Sequence, residues 1–381
     1  MIFAAIEWLY AVAVLAVMLV TIYIGLWLSI AWHELGHIVG ALLARCRIFE
    51  VSIGTEKRSP RWIGATRCYL SPYPNGGYVI SLAPTLAWYR LRQFIVLAMG
   101  PLFSLSYLAF LICQINSTGP VYGKLDLYFN VLLICIILEL RILFNLIPSR
   151  VKMARIDTGN DTLQIWWLFT KPLPEAGAYF RQYAFVEATY AAEQGRQQVS
   201  AHWVRKLTET PADALPLKEQ QALAGYFIGL ELWEPARRIA ERILHDTSIA
   251  KGEHTRYEAA DTFASVVLYG CDIEAMPQAI ELLQTFIAEF PDVITLHGTL
   301  GGLMFETGRF DEAETTLKKV IAKSSAPIDH GISSAYLARI AAKRGAHDEA
   351  RTLAVTAEKY AGHMSIVKRI ITELRESQTQ A

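Results

Sequence analysis

Three long apolar stretches stand out in the N-terminal part of the chain. Residues 8–32 and 93–113 contain no charged side chain, and residues 127–147 contain only Glu139 and Arg141. A helix needs about 20 apolar residues to cross the ~30 Å hydrocarbon core of a bilayer, and each stretch is at least that long. The pattern therefore predicts three membrane-spanning helices at these positions, with the lipid bilayer as their surroundings.

The segment between the first two predicted spans has a different pattern. Ile48, Val51 and Ile53 lie among polar residues, and Gly76 and Gly77 indicate a bend. Short runs of this kind that end at glycine are typical of β-strands. We expect a small β-strand loop at about residues 47–80, inside a membrane domain that extends over residues 1–171.

Beyond residue 172 the hydrophobic pattern becomes helical and repeats itself. Leu300, Gly308, Ala313 and Leu317 have the tetratricopeptide spacing of a helix pair, with partial copies 34 residues earlier and 37 residues later and a looser copy from Leu223. Such pairs stack and leave a concave face for a protein or peptide partner.

The predicted fold class is therefore mainly α. Polytopic membrane helices with a small β-strand loop come first, and a helical connector follows at residues 172–218, with one helix at about 176–199. A soluble α-helical repeat domain of the tetratricopeptide-like kind completes the chain at residues 219–381.

The distribution of charged residues predicts a membrane topology and argues against nucleic acid as a partner. The chain has 36 basic and 36 acidic side chains, so it gives no indication of nucleic-acid binding. Eight lysines and arginines lie between the first two spans, and only Lys124 lies between the second and third. Because cytoplasmic loops are enriched in these residues, we expect a multi-pass cell-membrane protein with its N-terminus outside and its repeat domain in the cytoplasm. The five cysteines lack metal-ligand spacing, which indicates reduced thiols without a ligand role.

The end of the first span carries candidate chemistry. Residues 33–37 read His-Glu-Leu-Gly-His. On a helix, His33 and His37 lie on one face, where both can bind one Zn²⁺, and Glu34 lies near the metal as a general base. Histidine and glutamate are costly inside a membrane and tend to mark a functional site there. A catalytic zinc site usually has three protein ligands, so one more is needed.

The segment after the third span offers that ligand. Asn145 and Pro148 begin and end the sequence Asn-Leu-Ile-Pro, and Asp157 follows. Together with the His-Glu-Leu-Gly-His run, this segment resembles the site-two protease family of intramembrane zinc metalloproteases, in which an N-x-x-P…D-G segment supplies an aspartate to the zinc. The resemblance implies that Asp157 completes the Zn²⁺ site and that Glu34 is the catalytic base.

Two further stretches support the resemblance. Residues 74–79 look like the family's P-x-G-G-Y-V element, and residues 100–101 look like its G-P pair. In the family the strand region forms a clamp that holds extended substrate, so Gly76 and Gly77 are expected to bind substrate. Asn145 is expected either to bind substrate through its amide or to cap a helix. The strand region has an alternative too, as an ordinary cytoplasmic hairpin.

One departure from the family's motif leaves the identity of the third zinc ligand open. The family's D-G reads Asp-Thr-Gly at residues 157–159, which makes Asp161 an alternative ligand. Asp161 also has a structural interpretation, as the N-cap of a helix at 162–169. Glu139 either lines an aqueous cavity at the site or has no part in it.

The sequence thus predicts an intramembrane zinc endopeptidase that cleaves membrane-spanning or membrane-inserted proteins near the cytoplasmic face. One alternative is a catalytically weakened membrane scaffold whose repeats bind partner proteins. Another is a metal-dependent hydrolase of lipids or small molecules, although a strand clamp suits extended peptide better.

Overall fold

The computed structural model describes residues 2–54, 61–73, 76–118, 127–143, 146–153, 156–249, 253–362 and 364–380. The chain divides into two compact units. The first consists of Met1–Tyr183 and Tyr190–Arg196, and the second consists of Ala184–Thr189 and Gln197–Ala381.

The first unit is built on three apolar helices that pack against one another: α1 (Ile2–Leu43), α2 (Tyr89–Thr118) and α3 (Leu127–Leu143). Within the first two, Val12–Leu43 and Tyr89–Ser117 are long and apolar enough to cross a membrane. The predicted spans at 8–32 and 93–113 lie inside these helices. Helix α3 has 17 residues, and a third span there stays a prediction.

One face of α1 is buried against its neighbours. Its buried side chains are separated by one, three or four residues, which is the spacing of a single helix face. They include Ser29, Ile30, His33, Glu34, His37 and Ala41. Leu28, Leu35 and Leu42 point elsewhere and are exposed, which suits a surface covered by lipid. The ionisable residues of the His-Glu-Leu-Gly-His run therefore face the helix bundle.

The predicted strand region is a four-stranded sheet, which confirms the β-strand loop. Its strands are β1 (Arg47–Ile53), β2 (Arg61–Ile63), β3 (Thr66–Leu70) and β4 (Gly77–Leu82), in the spatial order β2-β3-β1-β4. Strand β1 pairs parallel with β3 and antiparallel with β4. Both β1 and β4 contact α1, and in the described part of the chain no second strand pairs with β4.

A hairpin and a short helix follow the third apolar helix. The hairpin pairs β5 (Arg150–Met153) with β6 (Ile156–Gly159), and α4 (Asp161–Thr170) begins directly after it. Helix α4 packs against α2. This arrangement returns Asp161, at the start of α4, to the helix bundle that contains the His-Glu-Leu-Gly-His run of α1.

Helix α5 (Ala176–Glu193) contributes residues to both units, and α6 (Gln197–Thr208) follows it. The expectation of one helix at 176–199 is wrong. The chain turns at Gly195, whose φ of 77° lies in the left-handed region that glycine adopts without strain.

The second unit is a series of helix pairs. Its turns at Gly308 and Gly345 have φ of 82° and 79°. Leu283, Leu303 and Leu317 are fully buried in its main core. Each predicted copy coincides with one helix pair, so the tetratricopeptide-like repeat domain is confirmed. After α6, the paired helices of this unit are α7 (Leu217–Gly229), α8 (Trp233–His245), α9 (His254–Tyr269), α10 (Met276–Glu289), α11 (Ile294–Glu306), α12 (Phe310–Lys323), α13 (Pro327–Lys343) and α14 (His347–Ala361), and α15 (Ser365–Gln380) follows them.

Candidate metal centre

Two histidines and one aspartate converge at the buried face of α1. The Nε2 atoms of His33 and His37 lie 3.2 Å apart. One carboxylate oxygen of Asp161 lies 3.1 Å from Nε2 of His33 and 3.4 Å from Nε2 of His37. The residues of α1 and the first residue of α4 thus form a compact triangle of nitrogen and oxygen donors.

This triangle fits zinc. Zinc binds histidine nitrogen and carboxylate oxygen at about 2.0–2.2 Å in tetrahedral geometry, so neighbouring donors are about 3.3–3.6 Å apart. The three observed separations of 3.1, 3.2 and 3.4 Å are close to that spacing. Three protein donors also leave the fourth position that a catalytic zinc site keeps for water or substrate.

The orientation of His37 is fixed by the backbone of α2. Its Nδ1 lies 2.7 Å from the carbonyl oxygen of Val96. A carbonyl can only accept, so Nδ1 carries the hydrogen and Nε2 has a lone pair available for the metal. The corresponding nitrogen of His33 lies 3.0 Å from the hydroxyl of Ser104, which can donate or accept.

Helix α2 approaches the His37 ring so closely that it requires a glycine at the point of contact. A Cβ atom at Gly100 would lie 2.3 Å from Nε2 and 2.5 Å from Cε1 of that histidine. No side chain fits in that space. The Gly-Pro pair at residues 100–101, identified by resemblance alone, therefore has a steric reason in this protein.

Asn160 places Asp161. The side-chain oxygen of Asn160 accepts from the backbone N–H of Leu163, which makes Asn160 the N-cap of α4. Its amide nitrogen donates to the carbonyl of Ile147 at 2.7 Å, which ties the helix start to the segment after α3. The interpretation of Asp161 as the N-cap is therefore wrong, because the residue before it has that role and leaves the Asp161 carboxylate free to face the histidines.

The charge state of Asp161 also suits a ligand. Burial alone would raise the pKa of its carboxyl, but the adjacent imidazoles of His33 and His37 outweigh burial and hold that pKa below its usual range. A carboxylate anion is the form that binds metal.

Asp157 and Asn145 are the two other residues that the sequence predicted for the site. The backbone of Asp157 lies in β6, paired with Lys152, and its side chain falls outside the described part of the chain. Asn145 falls outside the described residues altogether. Their assignments as ligand and as substrate-binding residue stay predictions.

Glu34 lies beside the donor triangle and against the sheet. It is buried, and in the described part of the chain its Oε2 has no hydrogen-bond partner. A Cβ at Gly77 would lie 2.7 Å from both Cγ and Oε1 of Glu34. Glycine at the first position of β4 therefore lets the strand edge approach the glutamate, whereas Gly76, with φ of 149°, forms the bend before it.

A buried network anchors the start of β4. Glu50 on β1 is fully buried and accepts from the Arg67 guanidinium and the Tyr190 hydroxyl, each at 2.8 Å, and from the Tyr78 hydroxyl. Burial and the Glu50 carboxylate raise the pKa of both tyrosines, so both remain protonated donors. Since Tyr78 follows Gly77, this network holds the strand edge next to Glu34.

Sequence reasoning missed several of these residues. Asn160, Ser104 and the Val96 carbonyl belong to no motif, and nothing in the spacing of the chain pointed to them. Glu50 carried a weak signal, as an acidic residue between the apolar residues Phe49 and Val51 of β1.

Two histidines, a carboxylate and a buried glutamate on a bundle of apolar helices are typical of membrane-embedded metallopeptidases. The sequence matches peptidase family M50 over residues 21–374. The chain belongs to this family, which is the family of the site-two proteases. The resemblance predicted from the motifs is therefore confirmed.

Solved structures with similarity to this chain include a TPR protein and a Rap protein. A thermophilic TPR protein of Thermus thermophilus is 18% identical with a TM-score of 0.36, covering 51% of this chain and 99% of that chain. A Rap protein complexed with Competence and Sporulation Factor is 16% identical with a TM-score of 0.37, covering 76% of this chain and 78% of that chain. The repeat assignment rests on the helix pairs themselves. No match was found among curated proteins.

Proposed function

We propose that this protein is an intramembrane zinc endopeptidase that cleaves membrane-spanning or membrane-inserted proteins near the cytoplasmic face. The observation that carries the proposal is the donor triangle of His33, His37 and Asp161, with Glu34 beside it and a strand edge against Glu34. Membership of a metallopeptidase family supports the same conclusion.

His33, His37 and Asp161 would hold the zinc, with Asp161 in the place that the motif comparison gave to Asp157. When bound, zinc supplies Lewis acidity, which polarises a peptide carbonyl and makes water a better nucleophile at neutral pH. The chain's own contribution is to orient His37 through the Val96 carbonyl and Asp161 through the Asn160 cap, and to bury both histidines.

Glu34 is the proton carrier in this proposal. Its carboxylate accepts a proton from the attacking water and passes it to the leaving amine nitrogen as the peptide bond breaks. Its Oε2 is buried with no hydrogen-bond partner in the described part of the chain, so the oxygen is available for that proton. The close contact with Gly77 keeps the carboxylate next to the position of the substrate.

The edge of β4 would hold the substrate. A membrane-spanning segment is helical and hides its peptide bonds, so it must be unwound before cleavage. An extended chain can then add to a free strand edge through backbone hydrogen bonds. Strand β4 pairs only with β1 among the described strands, and its first residue contacts Glu34. A substrate strand on this edge would pass the catalytic carboxylate.

The distribution of basic residues supports an orientation with the sheet and the repeat domain in the cytoplasm. The repeats would there bind a protein or peptide that recruits substrate or regulates cleavage. They would also suit the alternative function of a membrane-anchored scaffold. The complete donor triangle with an adjacent glutamate favours the enzyme, because a scaffold needs neither.

Glu34→Gln tests the proposal. The variant should retain zinc and lose cleavage, because an amide cannot take the proton. Uncut membrane precursors should accumulate in cells that carry this variant relative to the wild type, as measured by quantitative membrane proteomics. Glu289→Gln, an exposed change of the same kind on α10, is the matched control and should match the wild type. Unchanged cleavage by Glu34→Gln would refute the mechanism.

A further inference from the structure

Helix α3 contains a buried acid that the proposed mechanism does not use. Glu139 has 0% exposure, and in the described part of the chain neither of its carboxylate oxygens has a hydrogen-bond partner. A carboxyl group in an apolar helix is costly unless another group interacts with it. Its retention in the bundle therefore calls for a specific role.

Glu139 faces polar groups from the other two helices of the bundle. The electrostatic environment of Glu139 includes the hydroxyls of Ser104 on α2 and Ser29 on α1 and the ring of His33, although among the described residues none of them is hydrogen-bonded to its carboxylate. Ser29 and Ser104 are both fully buried.

Ser104 is the link between Glu139 and the metal centre. Its hydroxyl lies 3.0 Å from Nδ1 of His33. If that hydroxyl donated to Nδ1, the hydrogen of the neutral imidazole would be on Nε2, and Nε2 could not bind a metal. His33 can be a ligand through Nε2 only when Nδ1 carries the hydrogen and the Ser104 oxygen accepts it.

The hydroxyl hydrogen of Ser104 then needs a different acceptor. His37 has no such ambiguity, since a backbone carbonyl holds its tautomer. For His33 the buried carboxyl group on α3 offers the acceptor, and it has an oxygen that can accept whether it is ionised or protonated.

We propose that Glu139 is a positioning residue for the metal site: it accepts the Ser104 hydroxyl hydrogen, Ser104 accepts the Nδ1 hydrogen of His33, and the Nε2 lone pair of His33 is left for zinc. The relay is a carboxylate–histidine–metal arrangement extended by one hydroxyl. It rests on the proposed function, because it assumes that His33 binds metal.

Zinc affinity of the full-length protein in detergent tests the relay. Apoprotein prepared with a chelator is titrated with zinc against a competing chelator, and the absorption of bound Co²⁺ reports the ligand set. Glu139→Met, which has no acceptor oxygen, should weaken zinc binding by about 10–100-fold, the usual effect of losing a partner of a metal-bound histidine. Glu139→Gln keeps an amide oxygen that accepts, so it should bind zinc like the wild type.

Two serine variants separate the relay from general packing. Ser104→Ala should weaken zinc binding as Glu139→Met does, and the double variant should be no weaker than Ser104→Ala, because both changes break one chain of hydrogen bonds. Ser29→Ala is the matched control. Its hydroxyl is equally buried and also faces Glu139, but no hydrogen bond links it to His33, so its zinc affinity should be unchanged.

The results distinguish the relay from the proposed function. If the wild type fails to bind zinc, the proposed function fails. If the wild type binds zinc and Glu139→Met binds it equally well with an unchanged Co²⁺ spectrum, the relay is refuted and the metal site stands. Additive losses in the double variant would refute the relay as well. Should Glu139→Met not fold, Ser104→Ala with wild-type zinc affinity would refute it alone.

Discussion

Replacement of Gly100 by alanine should remove the metal without altering a ligand. The new Cβ would lie 2.3 Å from Nε2 and 2.5 Å from Cε1 of His37. Non-bonded carbon and nitrogen atoms pack at about 3.5 Å, so the imidazole or the backbone of α2 must move by about 1 Å. The imidazole has little freedom to do so, because its Nδ1 is hydrogen-bonded to the Val96 carbonyl on the same helix as the glycine.

The size of this displacement decides the outcome. A zinc–nitrogen bond is about 2.0–2.1 Å long, and a functional site keeps its distances within about 0.2 Å. A shift of about 1 Å exceeds that tolerance about fivefold, so His37 should be lost as a ligand. Loss of a hydrogen-bond partner of a metal ligand weakens binding by about 10–100-fold. Because Gly100→Ala displaces the ligand itself, zinc affinity should fall by more than that.

The assay is zinc content and zinc affinity of the purified full-length protein, with helix content as a check of folding. Gly25→Ala is the matched control in the same helix bundle. Its Cβ would lie 3.0 Å from the end of the Leu138 side chain, which can rotate away, so zinc binding should be unchanged. Wild-type zinc affinity in a folded Gly100→Ala protein would show that the His37 ring does not lie against Gly100.

Three further predictions concern other parts of the chain. Gly77→Ala should lower kcat and leave zinc bound, because its Cβ would lie 2.7 Å from the Glu34 carboxyl group; cleavage kinetics and zinc content test this. Asn160→Ala removes a helix cap, so thermal stability should fall by about 1 kcal/mol, and zinc affinity should fall with it. Asp261→Asn should raise Tm at pH 7, measured by circular dichroism. Burial raises the pKa of Asp261 to about 6 from 3.8, so its contribution to stability is full below pH 3.8 and is lost as the pH rises through 6. The whole shift corresponds to about 3 kcal/mol, and partial exposure of Asp261 reduces the expected gain to about 1 kcal/mol.

Controls and contrary results differ among the three. Gly225→Ala faces open space and should leave kcat unchanged, and a similar loss of kcat in both glycine variants would contradict the steric argument. Zinc affinity that is unaffected by Asn160→Ala would separate the helix cap from the placement of Asp161. Asp292→Asn is an exposed control in the repeat domain, and an equal rise in Tm for both asparagine variants would rule out burial as the cause.

The sequence was sufficient for features that depend on local periodicity. The spacing of His33 and His37 predicted their shared face on α1, and the spacing of Leu300, Gly308 and Leu317 predicted the helix pair α11 and α12. In both cases the pattern lies within one helical turn or one repeat. Over such short distances, helix geometry determines from the residue number which face a side chain occupies.

Features that depend on tertiary contacts could not be predicted from the sequence. The parallel pairing of β1 with β3 arises from a crossover that no turn motif specifies. The role of Asn160 depends on the carbonyl of Ile147, which is thirteen residues away in the chain. Motif spacing likewise does not decide between two aspartates four residues apart, and the proximity of the Asp161 carboxylate to both histidines is visible only in the structure.

The zinc content of aspartate variants tests the proposed metal centre, because it identifies the third ligand. Zinc per chain is measured by elemental analysis of purified wild-type protein and of the Asp161→Asn and Asp157→Asn variants. We predict one zinc per chain in the wild type and in Asp157→Asn, and loss of zinc in Asp161→Asn. Loss of zinc in Asp157→Asn with retention in Asp161→Asn, or a wild-type protein without zinc, would contradict the metal centre proposed here.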